Sequence, residues 1–222
     1  MKSVIAIDGP AGAGKSTIAK KLAKRLNYRY LDTGAMYRAV TWYVIDNNID
    51  VSNEDKIGEI AKNINISFKT DKNGNTSIHV NDKNVSNEIR KNSIDNNVSD
   101  VAKISKVRNE MVKIQKRIAK NGKIIVDGRD IASRVLPDAD LKIYLTASVE
   151  ERARRRYNEL IEKGISTDFE KVKKEIQKRD YIDKNRENSP LTKTKDAVLI
   201  DSTSLSIEEV LYKISSLTKE EE

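Results

Sequence analysis

Residues 4–17 read VIAIDGPAGAGKST, an apolar run followed directly by a glycine-rich loop. Gly9 and Gly14 stand five positions apart and Lys15-Ser16 follows, which satisfies the phosphate-loop pattern G-x-x-x-x-G-K-[ST]. Glycine permits positive φ and close backbone approach, so successive N–H groups can converge on phosphate oxygens. A helix after the loop adds the dipole of its N-terminus. The stretch therefore predicts nucleotide binding by a strand–loop–helix unit.

The pattern also predicts what the loop residues bind. Lys15 is expected to hold the β- and γ-phosphates as a point charge, and the Ser16 hydroxyl to bind Mg²⁺. Ile18, Leu22 and Leu26 recur at helical spacing, which predicts the helix after the loop. The predicted ATP-contacting residues are Gly9, Pro10, Ala11, Gly12, Ala13, Gly14, Lys15, Ser16 and Thr17.

The composition of the chain narrows the possible chemistry. Its 222 residues contain no cysteine and one histidine, which excludes disulfides, thiolate nucleophiles and histidine-based metal sites or triads. No apolar run approaches the ~20 residues of a membrane span, and the first strand leaves no room for a signal peptide, so we expect a cytoplasmic protein. The net charge of +8 is compatible with nucleic acid or with small polyanionic substrates, but the basic residues form no continuous tract.

A second strand, turn and helix follow the first. Residues 28–32 are predicted to form the strand, residues 32–34 the turn and residues 36–44 the helix. Tyr37 and Arg38 lie in the first helical turn, where backbone N–H groups would meet an anion. A solvated arginine beside a core tyrosine is the alternative that the sequence leaves open.

Residues 61–100 are rich in Asn, Asp and Lys and have a different pattern. The alternating segments 66–70 and 76–80 flank an Asn-Gly turn within residues 71–75, which predicts a β-hairpin. His79 falls on its second strand and is interpreted as structural. We therefore expect a small β unit inserted in the α/β fold.

Apolar residues then recur every three or four positions over residues 101–118, which predicts one long amphipathic helix. Arg108 lies at the border of its apolar stripe. Its guanidinium either points at a buried acceptor or extends outward to solvent, and the sequence slightly favours the second.

Residues 124–127, IIVD, form an apolar strand that ends in a carboxylate, the general form of a Walker B sequence. Asp127 is expected to face the phosphate loop, because ligands of open parallel sheets bind beyond the carboxyl ends of the strands. Residues 141–145 and 197–201 complete a predicted sheet of five strands, and a last helix follows.

Two predicted helices between the last strands carry many charges. Either they are solvated faces with i,i+4 ion pairs, or they form an arginine lid over transferring phosphates. The single phosphate loop favours the lid, because phosphoryl transfer depends on positioned positive charge. The residues concerned are Arg152, Arg155 and Arg156 on the first helix and Arg179, Asp180, Asp183 and Arg186 on the second.

Four segments together resemble the bacterial cytidylate kinase family. They are IDGPAGAGKS at residues 7–16, LDTGAMYR at 31–38, VDGRD at 126–130 and DST at 201–203. Many proteins share the phosphate loop, whereas D-T-G-A-x-Y-R and D-G-R-D in this order are highly specific. The resemblance covers nearly the whole chain and implies a P-loop, three-layer α/β/α fold with a five-stranded parallel sheet, a small β-rich insert and a helical lid.

The resemblance also implies the regions and the reaction. Residues 1–60, 101–150 and 166–222 would form the kinase core, residues 61–100 the monophosphate-binding insert and residues 151–165 the lid. The γ-phosphoryl group of ATP would pass to CMP or dCMP with the help of Mg²⁺. We expect a monomer that binds these nucleotides but neither nucleic acid nor membranes.

Site residues carry over by position. Around the acceptor phosphate the resemblance implies Thr33, Tyr37, Arg38, Arg129 and Arg186; for cytosine Ser99, Arg108 and Asp130; and for the ribose Arg179 and Asp183. The implied catalytic residues are Lys15, Arg129, Arg152, Arg156 and Arg186, and the implied metal-site residues are Ser16 and Asp127. The chemistry agrees, since a carboxylate can accept from the exocyclic amino group of cytosine and an arginine can donate to the base carbonyl.

Other classes of function make distinct predictions. A P-loop kinase for another acceptor, such as adenylate or shikimate, should lack the inserted hairpin and D-G-R-D. A nucleotide switch would need a guanine-reading N-K-x-D motif, which the sequence does not contain. A nucleic-acid-stimulated ATPase would turn over only with added DNA or RNA.

Overall fold

A computed structural model describes residues 3–71 and 76–218. In it the chain folds into two compact units, built from the apolar runs and amphipathic stripes of the sequence. One unit contains the chain up to Leu31 and from Ala119 onward, and the other runs from Asp32 to Ile118. None of the helices in the described ranges has both the length and the apolar composition needed to cross a membrane.

The elements follow one another in this order. They are β1 (Val4–Asp8), α1 (Lys15–Leu26), β2 (Arg29–Asp32), α2 (Thr33–Asp46), α3 (Glu54–Asn63), β3 (Ile66–Thr70), β4 (Thr76–Val80), β5 (Lys83–Asn84), α4 (Asn92–Lys103), α5 (Ser105–Ala119), β6 (Ile124–Gly128), β7 (Leu141–Thr146), α6 (Val149–Glu162), α7 (Phe169–Asn185), β8 (Val198–Asp201) and α8 (Ile207–Thr218). A 3₁₀ helix spans Glu88–Arg90 and a short π-helix spans Ile131–Val135.

The first unit is built on a parallel sheet with the strand order β2-β6-β1-β7-β8. β1 lies at its centre, and Ile5, Ala6 and Ile7 are fully buried, as expected for a parallel strand covered on both faces. Side chains of α1 and α8 pack against the sheet in one apolar cluster. The five predicted strands and the parallel α/β fold are confirmed.

The second unit contains a small antiparallel sheet of β3, β4 and β5. β3 pairs with β4 from Ile66 opposite Val80 to Thr70 opposite Thr76, so the predicted hairpin strands are confirmed. Most of the predicted turn, including Asn73-Gly74, lies outside the described residues. β5 is only two residues long and escaped prediction because such a strand shows no alternation.

Two predicted boundaries are wrong. The single helix expected over residues 101–118 is broken at Ile104, whose backbone is extended (φ −62°, ψ 118°) between α4 and α5. The apolar spacing continues through this break, so periodicity alone could not detect it. Likewise, residues 33–34 are not a turn: α2 begins at Thr33, because the Asp32 carboxylate caps it by accepting the Ala35 N–H.

Candidate active site

The phosphate loop joins β1 to α1 and depends on its glycines. A Cβ on Gly9 would lie 1.9 Å from the Leu145 carbonyl oxygen on the neighbouring strand, so no larger residue fits. Gly14 has a φ of +83° at the N-terminus of α1, a conformation that L side chains rarely adopt. These two positions show why the motif requires glycine there.

Lys15 is buried at the start of α1 and donates from Nζ to the Pro10 carbonyl oxygen at 2.8 Å. Burial and the nearby Arg129 guanidinium lower the pKa of Lys15 to about 7, against the opposing attraction of Asp127, Asp183 and Asp8. A phosphate bound next to the Lys15 amine would therefore strongly favour its protonated, charged form.

Asp127 at the end of β6 faces the phosphate loop, as the Walker B pattern predicted. Its Oδ2 accepts from the Ser16 hydroxyl at 2.9 Å and its Oδ1 from the Tyr30 hydroxyl at 2.7 Å. Within the described residues no group of three or more His, Cys, Asp or Glu side chains could hold a metal alone. A hydroxyl and one carboxylate fit Mg²⁺, which typically takes few protein ligands and completes its shell with phosphates and water.

Beyond β6 lies a cluster of buried charges. Arg129 donates from Nε to Asp183 Oδ2 at 2.7 Å. Arg186 lies 3.8 Å from Asp183 Oδ1 and 3.9 Å from Asp130 Oδ1, measured from its Nη atoms. Burial by itself would raise the pKa of Asp183, but Arg129, Arg186 and Arg179 hold it below the ordinary value. Asp183 is therefore an ionised carboxylate among arginines and not part of a wet surface pair.

Arg186 lies just past α7, which ends at Asn185, so the prediction that the second charged helix includes Arg186 is wrong by one residue. Arg179, Asp180 and Asp183 do lie on α7. Arg179 is four residues before Asp183, and its charge contributes to the low pKa of that carboxylate.

The arginines of α6 differ in their surroundings. Arg152 is buried and donates to the carbonyl oxygens of Ala147 and Ala11, both at 2.9 Å, and to Asp180 at 2.7 Å. Arg155 binds Glu151 and Ser202, and Arg156 lies 2.9 Å from Glu159. The solvated-face interpretation is therefore wrong for Arg152, which connects α6, α7 and the phosphate loop.

In the second unit, α2 begins at Thr33, so Tyr37 and Arg38 lie in its second turn, and the prediction that they lie in its first turn is wrong. Arg38 is one of several paired charges there. Arg38 donates to Asp95 Oδ1 from Nη2 at 2.8 Å and from Nε at 3.2 Å. Asp32 Oδ2 accepts from Arg90 at 3.0 Å. Burial would raise the pKa of Asp32, but Arg90 and Arg38 hold it below the ordinary value.

Arg108 is buried in the second unit, so the favoured outward orientation is wrong. Its side chain is 1% exposed, its guanidinium carbon lies 5.2 Å from the centre of the Tyr37 ring, and Nη1 donates to the Ala102 carbonyl oxygen at 3.1 Å. Thr33 is also buried, whereas Ser99 on α4 is half-buried. The contact between Tyr37 and Arg108 brings two predicted site residues together.

Three residues to which no motif assigned a role contact site residues or their neighbours in the sequence. Asp95 holds Arg38, Arg90 holds Asp32, and Asp8 accepts two backbone N–H groups of the π-helix. Each contact joins positions far apart in sequence, so local spacing gives no signal for it. Asp180, the partner of Arg152, was recognisable only as a charged member of a predicted helix.

Comparisons with known proteins point to one family. The family model described as cytidylate kinase matches residues 5–220. A protein named cytidylate kinase from Alkaliphilus oremlandii is 53% identical over 215 residues, covering 97% of each chain. One of the same name from Enterococcus faecalis is 51% identical over 219 residues, covering 99% of this chain and 96% of that protein.

One solved structure, of an uncharacterized protein from Eubacterium ventriosum, aligns with a TM-score of 0.53. The two sequences are 13% identical, and the alignment covers 97% of this chain and 98% of the other. This likeness concerns the fold alone.

Proposed function

Because the chain belongs to the cytidylate kinase family, we propose that it transfers the γ-phosphoryl group of ATP to CMP or dCMP, giving ADP and CDP or dCDP. The observation that carries the proposal is the buried Lys15 in a phosphate loop whose Ser16 hydroxyl is bound by Asp127. This arrangement combines a cation for phosphate oxygens with a hydroxyl and carboxylate pair for a metal–phosphate complex.

On the donor side, residues 9–17 bind the ATP phosphates, chiefly through their backbone N–H groups, which Pro10 alone lacks. Lys15 moves from the Pro10 carbonyl to phosphate oxygens. Ser16 and Asp127 hold Mg²⁺, Asp127 by orienting the Ser16 hydroxyl. The chemistry that Mg²⁺ supplies is neutralisation of the β- and γ-phosphates.

For the acceptor, we assign roles to each unit separately. In the first unit, Arg129 and Arg186 bind phosphate oxygens, Asp130 accepts from the cytosine amino group, and Arg179 and Asp183 bind ribose hydroxyls. In the second unit, Thr33, Tyr37 and Arg38 bind the phosphate of the monophosphate, and Ser99 and Arg108 bind the base. The carboxylates paired with Arg129, Arg186 and Arg38 support the proposal, because they fix these guanidinium groups before substrate arrives.

No side chain has to act as a general base. The acceptor oxygen belongs to a phosphate that is already an anion at neutral pH, so it can attack the γ-phosphorus directly. The rate then depends on holding the two nucleotides in line and on neutralising charge in the transition state. This accounts for the abundance of arginine and the absence of a histidine from the predicted site.

Two regions of the chain receive roles as part of the proposal. Residues 61–100, which include the small antiparallel sheet, form the monophosphate-binding insert, and residues 151–165 form a lid that brings Arg156 to the transferring phosphate. Arg152 also serves catalysis by holding the phosphate loop through Ala11. We propose a cytoplasmic monomer whose partners are ATP, CMP and dCMP.

The decisive experiment measures ADP release with Mg²⁺-ATP and one monophosphate at a time. We expect turnover with CMP and dCMP to exceed turnover with UMP, AMP and GMP, and shikimate to be inactive. Turnover with AMP or shikimate above that with CMP would contradict the proposal. ATP hydrolysis that needs DNA or RNA would also contradict it.

A further inference from the structure

Asp8, the last residue of β1, is a buried carboxylate with no role in the reaction described above. It is 2% exposed, and in the sheet it lies opposite Gly128, two residues before Asp130. Its Oδ1 accepts the Ile131 N–H at 2.8 Å and its Oδ2 the Ala132 N–H at 2.7 Å. Both carboxylate oxygens thus bind the segment that directly follows Asp130.

That segment is the π-helix Ile131–Val135, and its first N–H groups need acceptors from elsewhere. The residue in the usual capping position, Asp130, makes no side-chain hydrogen bond to this helix. Asp8 therefore supplies the cap from a neighbouring strand.

Hydrogen bonds fix both ends of the peptide group that joins Asp130 to Ile131. The Asp130 carbonyl oxygen accepts from the N–H groups of Arg134 and Val135, at 2.9 and 3.2 Å, while the Ile131 N–H of the same peptide donates to Asp8. The backbone next to the Asp130 side chain therefore has little freedom. Burial raises the pKa of Asp8 to about 6, and the hydrogen bonds from the Ala132 and Ile131 N–H groups oppose that rise.

We propose that Asp8 is a positioning residue for base selection: by fixing the peptide after Asp130, it directs the Asp130 carboxylate toward the amino group that distinguishes cytosine from uracil. The proposal rests on the proposed function, in which Asp130 reads the base. A cap with only a structural role would stabilise the fold without changing the preference between CMP and UMP.

The test compares Asp8→Asn with a matched control, a carboxylate just before β7 that binds the other end of β1. Asp140 also accepts two successive N–H groups, those of Ser3 and Val4, at the opposite end of β1. In Asp8→Asn one oxygen acceptor becomes an NH₂ group, so we expect the ratio of kcat/KM for CMP to that for UMP to fall about tenfold, the equivalent of one hydrogen bond to a charged group. Asp140→Asn should leave this ratio unchanged.

A double-mutant cycle shows whether Asp8 acts through Asp130. In the Asp130→Ala background, Asp8→Asn should change the CMP to UMP ratio by less than about twofold. Equal losses for CMP and UMP, or a full Asp8→Asn effect without Asp130, would overturn the proposal. If Asp8→Asn does not fold, Asp8→Ser takes its place in the cycle.

Hydrogen exchange of the unmodified protein gives a second measurement. The Ile131 and Ala132 amides should exchange far more slowly than in an unstructured peptide, and fast exchange would overturn the proposed positioning. A failure of the proposed function is recognised separately, because the unmodified protein would then show no preference for CMP over UMP.

Discussion

Lys15, which we propose to bind phosphate, is almost fully buried. In the nucleotide-free protein its pKa lies near 7, chiefly because burial disfavours the ammonium form. Bound phosphate oxygens favour the ammonium form, so ATP should raise this pKa toward its ordinary value. The result is a lysine that becomes fully charged only when its ligand is present.

We therefore predict that ATP binding at pH 8 takes up about 0.9 proton per site, because a group with a pKa near 7 is mostly neutral there before binding. Below pH 6 the uptake should vanish, since Lys15 is already charged. Calorimetry in buffers of different ionisation enthalpy measures the uptake, and Lys15→Met is the control that should lack it. Uptake that is the same in Lys15→Met would assign the proton to another group.

The contacts of Asp183 determine how its proposed role in ribose binding can be tested. Its carboxylate accepts from Arg129, so Asp183→Ala disturbs an arginine that would act on any acceptor. That disturbance affects CMP and dCMP alike and cancels in the ratio of their kcat/KM values. The loss of the proposed hydrogen bond from the 2′-hydroxyl to Asp183 would affect only CMP.

We predict that Asp183→Ala lowers kcat/KM about tenfold more for CMP than for dCMP, as expected for a hydrogen bond to a charged group. Both acceptors are assayed with one protein preparation, so an error in active concentration cancels as well. An unchanged ratio would limit Asp183 to holding Arg129.

Among the helices, α6 and α7 are joined by the ion pair between Arg152 and Asp180. Asp180 on α7 is buried, and its Oδ1 has no hydrogen-bond partner in the part of the chain that the structure describes. Arg152 binds the other oxygen of the same carboxylate. Arg154, two residues further along α6, is largely exposed and lies 4.0 Å from Glu151.

The two arginines should therefore differ in stability effect. Arg152→Ala leaves a buried carboxylate uncompensated and is predicted to lower the free energy of unfolding by about 3–5 kcal/mol. Arg154→Ala should change it by less than about 0.5 kcal/mol, as for most surface substitutions. Urea unfolding measures both, and similar values for the two variants would show that the Arg152–Asp180 pair does not hold the helices.

The elements also show where prediction from sequence succeeds and fails. The five strands were predictable because short apolar runs with turn residues around them carry a local signal. The break at Ile104 was not, because the apolar spacing continues in phase from α4 into α5. Local patterns locate elements well and their interruptions poorly.

Site residues follow the same rule. The phosphate loop and Asp127 were recognisable because their chemistry is confined to a few consecutive positions. The burial of Arg108 was not, because its partner ring belongs to Tyr37, 71 positions earlier in the sequence. Asp8 bonds to residues more than 120 positions away, and no spacing rule contains that information.

The net charge of +8 bears on which ligands the protein attracts over a distance. Basic residues are distributed along the chain, and several pair with nearby acids, as Lys106 does with Asp55 and Lys173 with Glu150. Pairing leaves the net charge unchanged but sets acidic groups beside these basic ones. A diffuse positive field favours small polyanions in general and gives a nucleic-acid strand no continuous track.

This interpretation predicts how salt and nucleic acid affect turnover. Raising KCl from about 50 to about 500 mM shortens the Debye length from roughly 14 to roughly 4 Å, so long-range attraction of ATP and CMP is screened and KM should rise. Once bound, the phosphates contact buried cations that salt screens little, so kcat should change much less. Single-stranded DNA added at low salt should not stimulate turnover. Stimulation by DNA, or a kcat that falls as steeply as KM rises, would mean that the positive charge serves a different partner or acts within the bound complex.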